Sequence, residues 1–186
     1  MWLVVIVLPN MDLVFESSHE VSSGKGRDFR VVILCEDAAS TDKACDVLRL
    51  LRHNLKEEAG RLLYQWWNFE FLAVQELWDM FAEQTAAADM IIIGLPEQLL
   101  FPERFATWLQ RLPELRKTFP GAMIAVLDSA PQDPGAEPEI CSQLQQAAVL
   151  SRMDFFATPT AAGMQARILP SPLWLHRRRQ IRMSGG

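Results

Sequence analysis

The sequence lacks the signals of several familiar chemistries, and each absence removes a class of function. No apolar run approaches the roughly 20 residues that a membrane-spanning helix needs. The run at the start, WLVVIVL over residues 2–8, has seven residues, no basic stretch before it and no small-residue cleavage site after it, so a signal peptide is not expected. Cysteine is scarce: Cys35, Cys45 and Cys141 are an odd number without CxxC spacing or a nearby histidine. That pattern argues against a disulfide framework and a zinc site, and predicts buried reduced thiols in a cytoplasmic protein. No serine sits in a GxSxG elbow and no cysteine has a histidine partner close in sequence, so triad chemistry has no support. Of the three histidines, His53 lies beside Arg52 on a helical stretch and reads as solvated, while His19 and His176 fall in expected tails. There is no internal repeat.

What is present describes one globular domain. The chain has 186 residues, 49% hydrophobic and 22% charged, enough for one core of ordinary size and too few for two comfortable domains. The net charge of −5 is uneven. Arg167, Arg177, Arg178, Arg179 and Arg182 make the last twenty residues +5, which leaves −10 on residues 1–166. A body that acidic repels phosphate backbones, so the main domain is not expected to bind nucleic acid. The basic tail alone has the charge to touch an anionic surface or an acidic partner.

From Asp28 onward, short β-like runs alternate with longer helical stretches, the signature of stacked βαβ units. FRVVILCE, residues 29–36, is a continuous apolar strand of the kind buried on both faces. Ala44, Val47, Leu51 and Leu55 then mark one face of a helix over residues 40–58. RLLYQWWNFEFL, residues 61–72, reads as a second strand, long enough to suggest an edge position. Val74, Leu77, Trp78 and Phe81 stripe the next helix, and MIIIG, residues 90–94, is the clearest strand, placed at the sheet centre. Pro102 can open a third helix that Pro113 is expected to kink or end. AMIAVLD, residues 122–128, a loop with three prolines, a helix from Pro138 to Leu150 and MDFFATP, residues 153–159, complete the series. Five strands and four helices predict a three-layer αβα sandwich on a mostly parallel sheet of flavodoxin-like order 2-1-3-4-5 with right-handed crossovers. The expected domain spans residues 29–159, between a flexible lead over 1–28 and a basic tail over 160–186.

In such a sheet a crevice opens at the carboxyl ends of the strands, where the strand order reverses. That rule points to Glu36, Asp37, Ser40 and Thr41 after strand one, Gly94 to Glu97 after strand three, Asp128 and Ser129 after strand four, and Thr158 after strand five. Glu36, Asp37 and Asp128 are the candidate catalytic carboxylates: grouped on one rim, they would raise one another's pKa or gather a cation. The competing reading is that Asp37, Ser40 or Thr41 caps the helix and Asp128 opens a turn. EDAAST has no glycine and two acids, so it should not cradle a phosphate; flavin mononucleotide and NAD are disfavoured and no cofactor or resident metal is expected.

The order of elements resembles the receiver domains of bacterial two-component signalling, with Glu36 and Asp37 matching their acidic pair. Gly94 and Leu95 stand where the resemblance implies a phosphoacceptor aspartate, and Thr158 where it implies a lysine; Ser129 fits the hydroxyl position. WNFEFL (67–72), AADMIIIG (87–94), a later WL-containing helix and MDFF (153–156) are also similar to a group of small bacterial α/β proteins with no known activity. The AADMIIIG step also resembles one in the Toll/interleukin receptor and nucleoside deoxyribosyltransferase folds, whose enzymes use a carboxylate on a glycosidic bond. Two functions follow as expectations. The first is a non-catalytic signalling or interaction domain that meets a protein partner or itself through aromatics near Trp66 and Trp67. The second is a small-molecule hydrolase or nucleoside N-glycosidase using Glu36 or Asp37 as base or nucleophile and Asp128 to orient the substrate.

Overall fold

The computed structural model describes residues 28–55, 61–95, 103–116, 120–127 and 139–158. The elements alternate as the hydrophobic pattern predicts: β1 (Phe29–Cys35), α1 (Ala38–Leu55), β2 (Leu62–Asn68), a 3-10 turn (Phe69–Ala73), α2 (Gln75–Ala87), β3 (Met90–Leu95), α3 (Glu103–Leu115), β4 (Gly121–Leu127), α4 (Glu139–Leu150) and β5 (Met153–Thr158). All strands are parallel and ordered β2-β1-β3-β4-β5, a flavodoxin-like arrangement with β3 at the centre and β2 on an edge. Of the expected lead and tail, all but Asp28 lies outside the described residues.

Side chains of β1, β3 and β4 alternate between two cores because successive residues of a strand point to opposite faces. Val31, Ile33, Met90, Ile92, Ile124 and Val126 meet Ala44, Val47 and Leu51 of α1. Val32, Leu34, Ile91, Ile93, Met123 and Ala125 face the layer formed by α2, α3 and α4 with Trp67 and the 3-10 turn. Within that layer Trp67, Phe81, Trp108, Phe105 and Phe69 form a continuous run of rings with centroids 5.1 to 5.4 Å apart. Their polar ends are matched inside: Trp67 Nε1 donates to Gln84 Oε1 at 2.8 Å, and Trp108 Nε1 to Thr85 Oγ1 at 3.0 Å. An indole that is buried and satisfied in this way is a core residue. Trp67 is therefore not part of an outward aromatic surface, and Trp66 is half-buried against the α1 side.

Three boundaries differ from expectation. The strand expected over 61–72 stops at Asn68, whose side chain accepts the Glu70 N–H at 2.8 Å and starts the 3-10 turn. Phe69 and Leu72, three residues apart, then point together into the core, a spacing a strand cannot give. Helix α1 starts at Ala38, two residues earlier than the apolar stripe suggested, because Asp37 caps it. Helix α3 runs through Pro113 to Leu115; the ring falls in its last turn, where only one backbone bond is forfeited, and the Arg116 N–H still reaches Leu112 O at 3.0 Å.

Candidate functional site

The carboxyl ends of β1 and β3 are joined by an unusually close approach of helix to sheet. Gly94 faces the first turn of α1: a Cβ there would lie 2.8 Å from Cys35 Sγ, 2.8 Å from Ser40 Cβ and 3.2 Å from Ser40 O. Only a residue without a side chain fits, so glycine permits α1 to sit directly against the end of β3. Cys35 is buried beneath the same turn, its thiol directed at Ser40 O at 3.7 Å. Burial pushes that thiol up to about 12, against the opposing influence of its contacts with Gly94, Ser40 and Thr41. A neutral buried thiol is a packing group rather than a nucleophile.

Asp37 is held by the helix it begins. The Ser40 N–H donates to Asp37 Oδ1 at 2.7 Å, and the Asp37 N–H donates to Ser40 Oγ at 3.3 Å. The carbonyl of Asp37 accepts from Thr41 N at 3.0 Å and from Thr41 Oγ1 at 2.7 Å. This is a reciprocal capping box, with serine where glutamate often stands. It satisfies backbone donors that would otherwise be orphaned at a helix start.

Glu36 is exposed, and its backbone is fixed: Asn68 Nδ2 donates to Glu36 O at 3.1 Å. Asn68 thus ties the ends of β1 and β2 while capping the 3-10 turn. Sequence reasoning passed over both Asn68 and Lys43. Lys43 Nζ reaches from α1 to Leu127 O, the last residue of β4, at 3.3 Å. Lys43 flanks the inward stripe of Ser40, Ala44 and Val47, three residues after the first and four before the last. A long side chain there can lay its stem on the sheet and carry its charge to the rim, a signal the helical spacing already contained.

The structure therefore brings Glu36, Asp37, Ser40, Thr41, Lys43, Asn68 and Gly94 to one end of the sheet. Asp128, Ser129 and Glu97 lie outside the described residues, and Thr158 ends β5 opposite Val126. Among the described residues, no three His, Cys, Asp or Glu side chains form a group suited to a metal ion. Nor is any helix among them long and apolar enough to cross a membrane.

No protein-family model and no curated protein matches the sequence. Among solved structures, the homoserine dehydrogenase of S. aureus aligns with 71% of this chain at 7% identity and a TM-score of 0.44. The match takes in 32% of the dehydrogenase, so this chain spans about a third of its length. General stress protein 14 of Treponema denticola, solved in complex with FMN, aligns over 80% of this chain and 98% of its own at 14% identity, with a TM-score of 0.40.

Proposed function

We propose that the chain is a receiver-like protein-interaction domain that neither accepts a phosphoryl group nor catalyses a reaction. The observation that carries this reading is the closed end of β3. The position where the receiver resemblance implies a reactive aspartate is Gly94, with no room for a Cβ, and Leu95 after it is buried. Half of the acidic pair that would hold a cation in a receiver, Asp37, is engaged as a helix cap. Kinship with the small bacterial group sharing WNFEFL and MDFF belongs to the same proposal; Trp67, Phe69, Leu72 and Met153 of those motifs are buried. The test is intact-mass measurement after incubation with acetyl phosphate and magnesium. No mass gain is expected, and a stoichiometric phosphoryl adduct overturns the reading.

A second reading, a small-molecule hydrolase or nucleoside N-glycosidase, is favoured by one arrangement. Glu36 stands exposed at the end of β1 and Lys43 is anchored at the end of β4, two opposite charges at the carboxyl end of the sheet. On this reading Glu36 is the base, and Asp37 and Asp128 assist. Base release from a panel of nucleosides, abolished by Glu36→Gln, supports it; no release from any of them removes it.

A further inference from the structure

The two edges of the sheet are treated differently. At the β5 edge the strand is preceded by Arg152, held at a positive φ of 58°, and carries the exposed Asp154. A charge on an edge strand is a common device against unwanted strand pairing. The β2 edge has no such device: LLYQWWN, Leu62–Asn68, contains no charge, proline or glycine over seven residues.

The backbone direction of that edge follows from its pairing with β1. The Phe29 N–H donates to Arg61 O at 2.8 Å, so Arg61, Leu63, Gln65 and Trp67 turn their backbone groups toward β1. By alternation, Leu62, Tyr64, Trp66 and Asn68 turn theirs away from the sheet. Among the described residues, no strand pairs with them. Leu63 is 39% exposed and Tyr64 45% exposed, on opposite faces of the strand. Such an edge presents unpaired backbone donors and acceptors with apolar side chains above and below, and its complement is another uncharged strand.

We propose that this edge pairs with the same edge of a second copy of the chain, in antiparallel orientation, to make a continuous ten-stranded sheet across a two-fold axis. The inference rests on the reading of the chain as an interaction domain, and names its partner. A single register uses all seven residues, with Gln65 on the axis. Leu62 then faces Asn68 of the second copy and Tyr64 faces its Trp66, as the pairs whose backbones exchange hydrogen bonds. Leu63 faces Trp67 of the second copy. Tyr64 thereby gains the half-buried Trp66 as an aromatic neighbour, and aromatic cross-strand pairs are among the favourable ones, while Leu63 lies beside the strand at Trp67, whose ring is turned into the core. Glu70, exposed just after the strand, favours this orientation: parallel pairing would set it beside its own counterpart, whereas antiparallel pairing sets it beside Arg61, which is ion-paired with Asp28 of its own chain at 2.9 Å.

The register makes a sharp prediction. Gln65 opposes its symmetry mate as a non-hydrogen-bonded pair, whose Cα atoms lie about 4.5 Å apart, within reach of a disulfide. The exposed Gln65→Cys variant of the full chain should therefore cross-link to a dimer under mild oxidation at least ten times faster than Val149→Cys, an exposed control on α4. Sedimentation equilibrium should find the unmodified chain dimeric at high micromolar concentration. Tyr64→Pro should make it monomeric with unchanged far-UV circular dichroism, because the amide it removes points away from β1. Equal cross-linking of the two cysteine variants together with a monomer at all concentrations overturns the dimer. So does a monomer whose Leu62, Tyr64 and Trp66 amides resist hydrogen exchange, since the chain itself would then cover the edge. A monomer that also takes no phosphoryl group loses only this partner, while a dimer that takes one keeps the interface and loses the non-phosphorylated reading.

Discussion

The two ends of the parallel sheet hold the same kinds of group under opposite conditions. At the amino ends of β3 and β4 the polar groups are buried and bonded to backbone. Asp89 Oδ2 accepts the Arg30 N–H at 2.9 Å, and Arg116 Nη1 donates to Thr85 O and Ala88 O at 2.7 Å each, closing the end of α2. Gly121 makes room for this, since a Cβ there would lie 2.6 Å from Arg116 Nη2 and 2.9 Å from Asp89 O. At the carboxyl ends Glu36 and Asp37 are exposed, and Asp37 stays at the surface even while capping α1. The difference teaches that charge alone does not mark a site: the buried aspartate and arginine fasten the fold, and the exposed carboxylates remain accessible.

If that contrast is correct, the largest effect of a single substitution should come from the amino end. Arg116→Met should cost about 3 kcal/mol in urea unfolding, because the carbonyls of Thr85 and Ala88 are left buried without a donor. A loss no larger than that of a surface substitution would break the comparison. Gly94→Ala should follow at about 2 kcal/mol, from overpacking against Cys35 and Ser40. In a Cys35→Ala background part of this should return, since the sulfur is removed and the Ser40 contact stays. Asp37→Ala should cost about 1 kcal/mol through the lost cap, with Asp37→Ser close to wild type. Glu36→Gln should remain within about 0.5 kcal/mol of wild type, because among the described residues its carboxylate has no hydrogen-bond partner.

The smallest effect at neutral pH belongs to Cys35. Its thiol ionises near its ordinary 9.0 in the unfolded chain and near 12 in the folded one. Its contribution to stability is complete below pH 9 and is lost as pH rises towards 12, because only the unfolded chain gains by ionising there. The urea midpoint of wild type should therefore fall relative to that of Cys35→Ala across this window and not below it. Equal slopes would mean that the thiol is not buried as described.

The apolar runs at Val31, Ile91 and Ile124 were legible as adjacent parallel strands, because β-branched residues with no polar alternation have only a doubly covered sheet to occupy. The inward turn of Trp67 was not legible: a pair such as Trp66 and Trp67 reads equally as surface or core, and the bond from Trp67 to Gln84 on α2 decided it. Nor was the end of β2. An aromatic run such as WWNFEF has no period that separates strand from 3-10 turn, and the decision came from one side-chain bond, Asn68 to Glu70 N. Pro113 misled because proline's cost depends on which helical carbonyl is left unpaired, and that depends on where the helix ends. Arg116 carried no local signal at all: its partners at Thr85 and Ala88 are about thirty residues away along the chain.

By itself the sequence determined the number and order of the strands and α-helices and the charge balance, since these follow from local periodicity and composition. Tertiary structure decided which polar groups fasten the fold and which stay exposed. Whether Asp37 caps, whether Trp67 faces in, and whether an edge stays open depend on distances between residues remote in the chain. Chain packing sets those distances, and no local propensity encodes them.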